Sequence, residues 1–97
     1  MKREPKAKTQ RRHFKRRIKE RFGLVVNGTD YRKIVAMIQD GSATFIEKQS
    51  NTRRLFRLVI NKQAVYIVYD KLRKTAVTAL TEEMFYELRP DERKSMC

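Results

Sequence analysis

The chain is short of most residues that build specialised sites. Its 97 residues include one cysteine, one histidine, no tryptophan, three glycines and two prolines. The lone cysteine, Cys97, leaves no internal disulfide to expect and no cysteine-based metal site. One histidine without clustered cysteines does not provide the usual zinc donor sets, and the carboxylates are scattered rather than set at ligand spacing. The glycines fall singly at expected turns, so there is no glycine-rich phosphate loop. No apolar run approaches the length of a membrane span, and no apolar stretch follows the N-terminal charges as in a secretory leader. The expectation is a soluble cytoplasmic protein that needs no cofactor and avoids membranes.

What the chain has in excess is positive charge. The sequence holds 24 Lys and Arg against 11 Asp and Glu, a net charge of +13. The surplus is uneven: residues 1–21 contribute 11 basic and 2 acidic side chains, or +9, and the remainder 13 and 9, or +4. Such asymmetry suits a polyanion, because neutralising phosphates releases their counterions. With 40% hydrophobic residues, the chain still has enough apolar content for one modest core.

The pattern predicts an α+β domain, with two N-terminal helices packed on a four-stranded antiparallel sheet and a short C-terminal helix. Residues 1–8 read as a flexible basic arm, 9–90 as one domain and 91–97 as a tail. The first helix should run from a Thr9 cap to a Gly23 stop, with Phe14, Ile18 and Phe22 as its apolar stripe. Asn27-Gly28 reads as a turn, with Thr29 or Asp30 capping a second helix whose Tyr31, Ile34, Val35 and Ile38 face the core until Gly41. The period then changes. Ser42–Lys48 and Arg54–Ile60 alternate, Asn61-Lys62 links tightly to Ala64–Tyr69, and Thr75–Leu80 follows. Ala64–Tyr69 is apolar on both faces, as a central strand should be. Thr81 starts the last helix, Glu82–Leu88, before Pro90.

The first helix carries the chemistry. His13, Arg16, Arg17 and Glu20 are spaced i, i+3, i+4 and i+7, so they share one face. His13 can move a proton near neutral pH, and Arg17, nearer the apolar stripe, suits bidentate phosphate contact. RNA needs no metal to be cut, because its 2′-hydroxyl is the nucleophile. The protein must remove one proton, supply another and support charge on the phosphate. Arg11, Arg12, Arg16 and Arg21 are the helix's candidate nucleic-acid contacts.

The pattern His13-x-x-x-Arg17-x-x-x-Arg21-Phe22-Gly23, with strands ending in Tyr69-Asp70 and Val77-Thr78-Ala79-Leu80, resembles the RelE-like, barnase–EndoU-type small ribonuclease superfamily. In particular, it is similar to the toxin- and phage-associated members with an N-terminal His/Arg helix. The resemblance spans roughly residues 10–82 and implies metal-independent endoribonuclease activity at a sheet face bordered by the first helix. Carried over by position, it points to His13, Arg17 and Thr78, with Tyr69 offering a hydroxyl and Lys48, Arg54 and Arg57 contacting phosphates. It also implies an acidic antitoxin as a partner; the ribosome is a further candidate partner, on the charge alone. The chain departs from the family pattern in having no second histidine and no obvious acidic base in the right region: either Glu20 or Glu47 is the other proton carrier, or His13 serves alone. Two further readings use the same charge: a nucleic-acid-binding protein that does not cut, and an inhibitor that docks on an acidic host protein.

Overall fold

A computed structural model describes residues 6–88. The elements are α1 (Lys6–Phe22), α2 (Gly28–Gln39), β1 (Thr44–Lys48), β2 (Arg53–Ile60), β3 (Gln63–Asp70), β4 (Thr75–Thr81) and α3 (Glu82–Leu88). The strands form one antiparallel meander in the order β1-β2-β3-β4. This is the α+β arrangement the sequence predicts.

Two boundaries differ from expectation. Helix α1 begins by Lys6, so Thr9 is an interior residue and Lys6–Lys8 belong to the helix rather than to an arm. Its inward stripe starts with Ala7 and Gln10, which carry no strong apolar signal, although Gln10 is only 5% exposed. Helix α2 begins at Gly28. Its cap is Asn27, whose side chain accepts from the Asp30 amide at 2.8 Å while the Asp30 carboxylate accepts from the Asn27 amide. That reciprocal capping box satisfies two backbone donors. The rest of the expected arm (Met1–Pro5), Pro90 and the 91–97 tail lie outside the described residues.

The sheet is covered on both sides. Phe14 and Ile18 of α1 and Tyr31, Ile34 and Ile38 of α2 pack on Leu58, Val65, Ile67, Tyr69, Ala76 and Ala79. On the opposite side Leu55, Tyr66, Val68 and Leu80 pack with Phe85 of α3, whose ring stacks on Tyr66 at 4.2 Å. Strand β3 is therefore buried continuously from Val65 to Asp70, which accounts for its unbroken apolar run. Thr81 accepts the Met84 amide at 3.1 Å and so starts α3 as predicted. Asn61 and Lys62 both adopt left-handed backbone, with φ of 54° and 66°, to close the β2–β3 hairpin.

Side chains close the outer edge of β4. The Ala76 amide donates to the Tyr31 hydroxyl at 2.9 Å, and Arg21 donates to the Ala79 carbonyl at 2.7 Å. At the start of β4, Gln10 accepts from the Thr75 hydroxyl and donates to the Asp70 carboxylate at 3.1 Å. Gln10 at Thr75 and Arg21 at Ala79 make α1 run parallel to β4, along the edge of the sheet.

Candidate nucleic-acid interface

Phe14 and Ile18 fix the rotation of α1, because both are fully buried. With about 100° per residue, Arg11 and Lys15 then leave the core on one flank and His13, Arg17 and Arg21 on the other. The contacts agree. Arg11 and Lys15 lie 5.6 and 5.9 Å from the centre of the Tyr31 ring on α2, whereas Arg21 reaches β4. Arg12 and Arg16 occupy the exposed crest between them.

On the β4 flank, Arg17 donates to the Glu20 carboxylate at 3.0 Å, and Arg16 approaches the same carboxylate at 3.9 Å. Arg17 is half-buried and His13 exposed, as expected from their distances to the apolar stripe. Among the described residues His13 has no hydrogen-bond partner. Arg17 falls between the Gln10–Thr75 and Arg21–Ala79 anchors, beside the middle of β4, where Thr78 lies.

The remaining predicted residues do not join this group. Thr78 pairs with Val68 on the α3 side of the sheet. Tyr69 points to the opposite side: it is buried beneath α2, packs edge-on against Phe56, and its hydroxyl accepts from Gln39 at 2.8 Å. A tyrosine so engaged does not present its hydroxyl beside Thr78. Arg57 faces away from α1 and α2, as its alternation with Phe56 and Leu58 implies, and lies across from Tyr66. Lys48 pairs with Arg54 on the β1–β2 hairpin. Arg54 is turned onto the carbonyls of Ser50, Asn51 and Arg53, where it holds the hairpin turn. With β1 and β4 at opposite edges, Lys48 is three strand spacings, about 14 Å, from the strand that carries Thr78.

A feature that no local sequence pattern signals lies on the other flank. A cleft of about 460 Å³ opens between α1, α2 and the β3–β4 turn, above Tyr31. Arg11, Lys15, Arg32, Arg73 and Lys74 line it, and among the described residues no acidic side chain does. Arg73 is tied to buried Asp70 at 3.1 Å. Burial pushes the Asp70 carboxyl up, but hydrogen bonds from the Arg73 amide, Gln10 and the Arg73 guanidinium outweigh it and hold the group below its usual range. Burial pushes the Tyr31 phenol up, with the Ala76 amide and the Arg11 charge acting in the opposite sense.

No protein-family model, curated protein or solved structure matches the chain.

Proposed function

We propose that the protein binds RNA along α1 and cleaves it without metal, by intramolecular transesterification on the β4 flank of that helix. The observation that carries the reading is the grouping of His13, Arg17 and Glu20 on one flank, with Arg17 tied to Glu20 at 3.0 Å. Glu20 is seven helical steps from His13, about 10.5 Å between their Cα atoms, with Arg17 between them. A phosphodiester bound at Arg17 would thus have a carboxylate on one side and an imidazole on the other.

In this scheme Glu20 takes the proton from the 2′-hydroxyl and the 2′-oxygen attacks phosphorus. The bond from phosphorus to the 5′-oxygen breaks, and imidazolium His13 protonates the departing oxygen. The products are a 2′,3′-cyclic phosphate and a 5′-hydroxyl. Arg17 stabilises the added negative charge of the transition state. This reading also draws on the resemblance to RelE-like ribonucleases. The exposure of His13, with no hydrogen bond to orient it among the described residues, favours a second reading, in which the helix holds RNA without cutting it.

End-labelled single-stranded RNA incubated with the protein in EDTA separates the two. Cleavage predicts discrete fragments with cyclic ends, reduced at least about 100-fold by His13→Ala or Glu20→Gln. Both residues are exposed, so the variants should melt like the wild type. Intact RNA that shifts on a native gel would leave binding alone.

A further inference from the structure

We infer that the cleft above Tyr31 is a phosphate-binding site of its own, one that seats the backbone of a single-stranded nucleic acid on the flank of α1 opposite His13. It shares with the proposed function the choice of nucleic acid as ligand, but it does not depend on cleavage.

Three observations converge on it. First, chain segments far apart in sequence bring five cations to one concavity: Arg11 and Lys15 from α1, Arg32 from α2, and Arg73 and Lys74 from the β3–β4 turn. Second, four of these five charges are without an ion-pair partner among the described residues: Arg73 is neutralised by Asp70, but Arg11, Lys15, Arg32 and Lys74 have none. Like charges gathered without compensation repel one another, and a bound anion removes that repulsion. Third, the site is positioned rather than loosely draped. Arg11 and Lys15 sit over the ring of Tyr31, which is only 5% exposed and is itself held by the Ala76 amide. The Asp70 carboxylate accepts from the Leu72 and Arg73 amides and fixes the turn that carries Arg73 and Lys74.

The cleft fits a polymer better than an isolated anion because its charge continues past its rim. Arg12 and Arg16 cover the exposed crest of α1, and Arg17 and Arg21 follow on the far flank. A helix is about 10–12 Å across, so a strand leaving the cleft reaches the His13 flank within a few nucleotides. The two flanks then act as one track, with the cleft as its anchor.

The test uses a short single-stranded oligodeoxynucleotide. Lacking the 2′-hydroxyl, it cannot undergo the proposed cleavage, so binding is read even if the protein is not a ribonuclease. Arg32→Gln with Lys74→Gln removes two cleft charges from exposed positions. Lys33→Gln with Lys62→Gln removes two charges from exposed positions outside the cleft, one on the other flank of α2 and one at the far end of the sheet. Fluorescence anisotropy across a salt series should show the cleft variant weakened about 10-fold or more near 0.1 M salt. Its salt slope should fall by about 1.4, that is about 0.7 for each phosphate no longer neutralised. The control pair should change affinity less than about 3-fold. Equal weakening of the two variants, no weakening of either, or no binding by the wild type would each overturn the proposal.

Discussion

Gln10 shows how one polar side chain can organise a protein this small. It is almost fully buried, and it uses its amide in both directions, donating to Asp70 and accepting from Thr75. Removing it takes the partner of the buried Thr75 hydroxyl and one of several from Asp70, which costs about 1–3 kcal/mol. Gln10→Ala should therefore lower the stability measured by urea unfolding by about that amount. Asp70 adds a pH dependence of known sign. Its carboxyl titrates lower in the folded chain than in the unfolded one, so its contribution is present above the unfolded value near 3.9 and fades as pH falls through the folded value. Asp70→Asn should flatten the acid limb of the stability profile. None of this was legible in the sequence, where Gln10 is one more polar residue in a basic helix. By contrast Phe14 and Ile18 announced themselves through spacing, and both are fully buried.

At the scale of elements, alternation and turn chemistry made most of the fold readable. The change of period after Gly41, the doubly apolar run of β3 and the Asn61-Lys62 link all became what they imply. The helix starts were less readable, because Asn27 and Gly28 carry turn propensity and capping propensity at once. Lys62, like Lys74, departs from good local chemistry: a long L side chain is held at φ of 66° where glycine would sit without strain. Lys62→Gly should raise stability by about 0.5–1 kcal/mol, read as a higher melting temperature with unchanged oligonucleotide binding. The candidate site followed the same division. The His13, Arg17 and Glu20 group is a local pattern and could be seen, while the cleft needs residues 11, 32 and 74 to meet, which only the tertiary fold arranges. Tyr69 failed to join for a related reason. Alternation says that Tyr69 and Val68 point apart, but not which of them faces the helices.

For the whole molecule, the two ends of the sheet are treated differently. The outward Ala76 amide and Ala79 carbonyl of β4 are already taken by Tyr31 and Arg21, so no further strand can add there. On strand β1 the described features that oppose a further strand are the irregularity between Phe45 and Glu47 and the charge of Lys48. A sheet that can be extended on one side only has a limit built into it. Two copies meeting β1 to β1 would use up both available edges, making a closed pair of eight strands with nowhere to grow. Sedimentation at rising concentration should accordingly show at most a monomer–dimer equilibrium. Should conditions strip the charge from β1, self-association would end at two, and the fold would be spared the open-ended stacking that leads to fibres.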